Sequence, residues 1–183
     1  MPANVEIDPA TANAQGTDFQ TTAFQTEDGG QSRYLTTFSY AGGSSTYSFG
    51  LYQFDALGNP LVAPFLGAIG FSGPEIAELQ QHGGLSSSTL NALDSQLSAA
   101  VATQSGQAAY QGLLNTSDAN YAQAVQTDLD DASTTIASQV LSDPVAIQRL
   151  YDLNNQFGTA TLGQLQTFLG GDTATPPGGD AIE

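Results

Sequence analysis

Hydrophobic and polar positions change their period along the chain, and each change predicts an element. From Thr17 to Thr26, Phe19, Ala23 and Phe24 recur at helical spacing, with Thr17 or Asp18 placed to cap and Gly29-Gly30 to stop. A short helix ending near Glu27 follows. Between Tyr34 and Asp55 β-branched and aromatic residues take over, and Leu35-Thr36-Thr37-Phe38-Ser39-Tyr40 and Thr46-Tyr47-Ser48-Phe49 flank a loop of small residues, 41–45. That pattern predicts a β-hairpin.

From Pro60 to Leu169 the chain is rich in Ala, Leu, Gln and Ser and is broken by Gly, Pro and Ser-Asp pairs. Helices are expected over 60–68, 73–81, 87–103, 107–114, 118–141, 144–157 and 160–169. Pro74 and Pro144 fall in first-turn positions, where a missing N–H costs nothing, and Gly83-Gly84 and Gly158 stop the preceding helices. Residues 1–16 and 171–183 are small, polar and Pro-containing, and read as a flexible N-terminal tail and a flexible acidic C-terminal tail. The expected fold is a mostly α (α+β) single domain over 17–170, with one small β-hairpin region near its N-terminal third.

Charge narrows the function. Eighteen Asp and Glu stand against two Lys and Arg, a net charge of −16. Nucleic-acid binding needs cations to displace phosphate counterions, and Arg33 and Arg149 are too few. The most apolar stretch, 61–71, is far short of the roughly 20 residues that span a bilayer, so no membrane insertion is expected. Cys is absent, which removes thiolate metal sites and cysteine nucleophiles, and Asp128, Asp130 and Asp131 lack the glycine and terminal Glu of an EF-hand loop. No metal or other cofactor is implied.

The five Glu residues are few enough to weigh one by one. Glu6 and Glu183 lie in the tails, and Glu75 and Glu78 sit in a first helical turn, where a carboxylate suits the macrodipole. Glu27 instead stands near a helix C-terminus beside Asp28, where neighbour and dipole both raise its proton affinity, as a general acid requires. An exposed carboxylate at a frayed helix end is the plain alternative. Nine of the sixteen aromatic residues, from Phe19 to Phe54, crowd the same part of the chain; such rings suit both a core and a carbohydrate cleft. His82 at a helix end is explained by the dipole alone.

Glu27, followed after a hairpin by Ser48-Phe49-Gly50-Leu51-Tyr52-Gln53-Phe54-Asp55, resembles the lysozyme-like superfamily, in particular goose-type lysozymes and lytic transglycosylases. In that family a catalytic Glu ends a helix, and a Gly-Leu-aromatic/Met-Gln segment lies across the cleft. The resemblance covers about residues 17–60. It implies Glu27 as the proton donor and Gln53 as a polar cleft residue, with Ser48 and Gly50 admitting the sugar chain and Tyr52, Tyr47 and Tyr40 lining the cleft. Asp28 stands where the transglycosylases usually carry Ser.

A second carboxylate that activates water is a common need of such hydrolases. Asp55 is the first candidate base and Asp28 the second, although an Asp before Ala56-Leu57-Gly58-Asn59-Pro60 also suits a turn cap. The implied activity is cleavage of the peptidoglycan glycan strand, with a chitosanase-like glycosidase on a cationic amino-sugar polymer and a non-catalytic scaffold as alternatives. The implied partner is a polysaccharide, with a protein partner for export or inhibition conceivable. The site of action would be secreted or periplasmic, reached without a recognisable N-terminal signal in this chain.

Overall fold

In a computed structural model, residues 36–131 and 134–157 are described. The expected helix ending near Glu27, the expected helix over 160–169 and both expected tails lie outside them. Within the domain expected over 17–170, the described residues belong to two compact units, 36–116 and 117–157. The whole is mostly helical with a small antiparallel sheet.

The sheet is a three-stranded meander of β1 (Ser39–Tyr40), β2 (Tyr47–Phe49) and β3 (Phe54–Asp55), in that spatial order. Ser39 and Asp55 each stand opposite Ser48, Tyr40 opposite Tyr47, and Phe49 opposite Phe54. The side-chain period of two therefore gathers Tyr47, Phe49 and Phe54 on one face and Ser39, Ser48 and Asp55 on the other. The hairpin read from the sequence is β1–β2. Its neighbour β3 is an addition, and the signal for it is weak because the β2–β3 turn carries none of the usual Asn-Gly or Asp-Gly pairs.

Helices follow: α1 (Val62–Ala68), α2 (Gly73–Leu79), α3 (Ser87–Val101) and α4 (Gln104–Asp131), then α5 (Thr134–Ser142) and α6 (Pro144–Phe157). Local chemistry explains most starts. The Leu61 N–H donates to the Asn59 side chain at 2.9 Å, which holds the turn before α1. Ser72 and Glu75 form a reciprocal capping box with Pro74 in the first turn of α2. The Ser72 N–H, and then the Ser72 hydroxyl, hold the Glu75 carboxyl below its ordinary value. Ser86 accepts the Thr89 N–H at 3.1 Å and caps α3. Helix α6 begins at Pro144, as its sequence suggests.

Helix α4 departs from expectation. The break anticipated between 114 and 118 does not occur, and one 28-residue helix runs through it. Its polar residues stay within the helix: Thr116 and Thr127 donate to the carbonyls of Gly112 and Gln123, and Gln111 and Gln126 donate to Asn115 and Asp130 four residues on. Threonine hydroxyls bonded four residues back leave the helix continuous, so Thr116 reads falsely as a breaker. The helix instead ends at Asp131, inside the span expected over 118–141.

In the second unit Val125, Leu129, Val140, Ile147, Leu150, Tyr151 and Leu153 are buried. The Asp128 carboxylate, also buried, accepts from the Asn154 amide at 3.0 Å. Burial, reinforced by the charge of Asp118, pushes the Tyr151 phenol up to about 12. None of the described helices is long and apolar enough to cross a membrane.

The corner between α3 and α4 depends on Gly106. Thr103 Oγ1 donates to the Ala100 carbonyl at 2.7 Å and accepts the Gly106 N–H at 3.0 Å, drawing the two helices so close that a β-carbon on Gly106 would collide with the Ala100 carbonyl oxygen. Gly to Ala inside a helix ordinarily stabilises by about 1 kcal/mol. Here the obstacle is backbone against backbone, so Gly106→Ala is expected to destabilise by about 3 kcal/mol, measured by urea denaturation. A variant as stable as the wild type would show that the corner is looser than described.

Candidate functional site

The segment that carries the resemblance is built as a buried hairpin with one polar residue at its tip. The Gln53 N–H donates to the Gly50 carbonyl at 3.1 Å, closing a turn over 50–53 that joins β2 to β3. Of the nine consecutive residues 46–54, eight are buried, and Gln53 alone is exposed. Gln53 is also, among the described residues, the sole non-glycine with positive φ, at 51°. An L-residue with a β-carbon adopts that conformation at a cost of about 1–2 kcal/mol.

The rings behind this turn form a core. Phe49 lies 5.2 Å from Phe38, 5.9 Å from Phe54 and 5.7 Å from Phe65 of α1, and Tyr52 meets Phe54 edge-on at 5.6 Å. Tyr52 and Tyr47 are 2% and 3% exposed, and Ser48 is buried between Ser39 and Asp55. Tyr47 serves structure through its hydroxyl, which accepts the Leu85 N–H at 3.1 Å. Tyr40 is different, with 46% of its surface exposed and its ring lying on Gly83, whose α-carbon has φ +80°. Of the aromatic residues proposed to line a cleft, Tyr40 presents a ring to solvent, while Tyr47 and Tyr52 support the surface from beneath.

Asp55 is held as a turn carboxylate. Its oxygens accept the backbone N–H groups of Thr46, Leu57 and Gly58 and face the Thr46 hydroxyl. Two oxygens engaged by three N–H donors are committed to the turn, and they fit the turn-cap alternative. Glu27, Asp28 and Arg33 lie outside the described residues. His82 is exposed in the loop after α2, and Arg149 lies on α6 in the second unit. No group of three His, Asp or Glu among the described residues is arranged to hold a metal ion.

Two residues of the site carry no local signal in the sequence. Asp94 on α3 accepts the Phe38 N–H at 2.7 Å across 56 positions, and Tyr110 on α4 accepts the Leu51 N–H at 3.0 Å across 59. Partial burial pushes the Asp94 carboxyl up, and the Phe38 N–H opposes this in part. An apolar groove of about 260 Å³ between α1 and α4, lined by Leu61, Phe65, Ala109 and Leu113, has no ionisable group among its described lining and offers no acid-base chemistry.

No protein-family model, no curated protein and no solved structure matches the chain.

Two measurements test this geometry. Folded Asp94 keeps its proton to higher pH than the ordinary value of 3.8, so the folded chain binds more protons than the unfolded chain as pH rises above that value. The corresponding stability is complete below pH 3.8 and is lost as pH rises through the folded pKa. Asp94→Asn keeps an acceptor for Phe38 and has no such loss, so its stability relative to wild type is expected to rise between pH 3 and pH 6. Asp94→Ala leaves the Phe38 N–H unpaired and is expected to cost about 1–3 kcal/mol throughout. Urea denaturation at several pH values reads both.

Gln53→Gly removes the strain of a positive φ while adding chain entropy to the unfolded state. The balance is a variant as stable as wild type or up to about 1 kcal/mol more so. Gln53→Val, β-branched in the same conformation, is expected to lose about 1–2 kcal/mol. A marked loss in Gln53→Gly would mean that the amide is retained for folding.

Proposed function

We propose that the chain is a lysozyme-like enzyme that cleaves the glycan strand of peptidoglycan, with Glu27 as the general acid and Gln53 as a residue that contacts the sugar. The observation that carries this reading is Gln53 itself: a lone exposed amide in a strained backbone conformation, set in a buried aromatic hairpin at the position where the resemblance requires a substrate-binding Gln. Strain kept at an exposed residue is a reason to look for function there. An amide at the tip can donate to and accept from the hydroxyl and N-acetyl groups of an amino sugar.

The chemistry begins with Glu27 protonating the glycosidic oxygen as the bond to the anomeric carbon breaks. Both Asp55 oxygens are engaged by backbone N–H groups, which weighs against Asp55 as the base and leaves Asp28 as the other candidate. In the absence of a base for water, the Glu27 carboxylate takes the proton of a sugar hydroxyl that attacks the anomeric carbon, and the product is an anhydro sugar. We take the lytic transglycosylase outcome as the proposed one, with neither Asp55 nor Asp28 as base; hydrolysis would require Asp28 in that role. One observation favours a second reading: a net charge of −16 with two cations suits a polycationic amino-sugar polymer such as chitosan.

The test is incubation of the full chain and Glu27→Gln with purified peptidoglycan sacculi and, separately, with chitosan, and mass spectrometry of the released ends. Anhydro ends from sacculi are expected for the wild type, with a loss of about 10²–10⁴-fold in the variant. Reducing ends from chitosan alone would move the assignment to the second reading. Equal behaviour of both chains on both polymers would sink the enzymatic reading.

A further inference from the structure

The turn that displays Gln53 is held from behind by a tyrosine of α4. Tyr110 on α4 accepts the Leu51 N–H at 3.0 Å, and its hydroxyl lies 2.8 Å from where a β-carbon on Gly50 would stand. Its ring meets Phe65 of α1 edge-on at 6.0 Å, so the hydroxyl is carried on a packed support. Gly50 has φ +77°, and its lack of a side chain is what lets the Tyr110 hydroxyl approach the backbone. Leu51 is 7% exposed, which gives its N–H poor access to water once released. Two residues of the 50–53 turn thus meet one hydroxyl, while a third, Gln53, closes the turn through its N–H to Gly50.

We propose that Tyr110 is a positioning residue, whose hydroxyl fixes the 50–53 turn and thereby holds the Gln53 amide ready for the glycan. This rests on the reading of Gln53 as a sugar-contacting residue. Holding the turn before substrate arrives removes an ordering cost from binding, so losing the hydroxyl weakens binding more than it slows the bond-breaking step. The effect is transmitted through Gln53, so it disappears when the Gln53 amide is absent.

The experiment is a cycle of the full chain, Tyr110→Phe, Gln53→Ala and the double variant, assayed for kcat and KM on solubilised sacculi, with amide hydrogen exchange followed by NMR. Tyr110→Phe keeps the ring against Phe65, and Gln53→Ala keeps the strained backbone and a β-carbon. Tyr110→Phe is expected to raise KM about tenfold with kcat changed less than about threefold. Leu51 exchange should quicken about tenfold or more while the α3 amides keep their protection. The double variant should show a KM no higher than the worse single variant.

Multiplying KM effects in the double variant, an unchanged KM in Tyr110→Phe, or an unchanged Leu51 exchange rate each overturns the positioning role. A wild-type chain that turns over neither sacculi nor chitosan defeats the functional reading and the positioning role together. An active wild type with independent variants defeats the positioning role alone.

Discussion

Phe49 is the ring on which the first unit is organised. It packs against Phe38 ahead of β1, Phe54 across the ladder and Phe65 on α1, so one side chain joins the strands of the sheet to the first helix of the helical part. Burying a ring of this size contributes about 1.5–3 kcal/mol, and each favourable ring pair adds about 0.5–1.5. Once Phe49 and Phe54 are fixed opposite each other and facing inward, the remaining positions follow. Ser48 and Asp55 turn to the other face, and the chain between Phe49 and Phe54 must reverse within four residues. That short reversal requires left-handed backbone, which Gly50 supplies readily and Gln53 supplies at a cost.

The same constraint separates what the sequence discloses from what it hides. Features set by neighbours were legible: Pro74 and Glu75 in the first turn of α2, Pro144 opening α6 and the β1–β2 hairpin all depend on residues a few positions apart. The continuity of α4 was misread for a local reason, since Thr and Ser have two hydrogen-bonding habits and only the folded chain shows which one is used. The supports of the turn were not legible at all. Asp94 reaches Phe38 and Tyr110 reaches Leu51 over more than fifty positions, and nothing in spacing or periodicity marks either residue. Gln53 was found through a motif, but its exposure and its backbone conformation belong to the fold. The aromatic crowding around it has a double meaning in composition, and burial divides it: Tyr47 and Tyr52 go inward, Tyr40 stays out.

The shortage of cations shapes how the carboxylates are satisfied. A chain with two Lys and Arg for eighteen acids has few ion pairs to make, and the described carboxylates turn to N–H donors instead. Asp55 accepts Thr46, Leu57 and Gly58, Asp94 accepts Phe38, Glu75 accepts Ser72, Asp128 accepts the amide of Asn154 and Asp130 that of Gln126. Backbone N–H groups hold such acids in place through geometry, whereas a Lys or Arg would also have cancelled their charge. Acids at turns and caps therefore act as fasteners, and an acid that does chemistry has to be one not consumed in this way. Among the described candidates, that consideration counts against Asp55.

Fastening by neutral donors leaves the field of the chain intact, and this bears on the substrate. An N–H donor, unlike a Lys or Arg, carries no charge to cancel that of the acid, and the Ser72 donors hold the Glu75 carboxyl below its ordinary value. At physiological ionic strength such a field is screened over about 8 Å. Contacts made at the tip of a turn by a neutral amide lie within the range where hydrogen bonding, not net charge, selects the partner. Gln53 in the β2–β3 turn offers a neutral polar edge, and Tyr40 an exposed ring at the opposite end of β2. Under the proposed function, an acidic chain meets the uncharged sugar backbone of an anionic polymer through the neutral Gln53 amide, with acids such as Asp55 kept for structure. On that proposal the charge acts toward a polycation only as a steering force at low salt, and selection is left to the hydrogen bonds of the Gln53 amide.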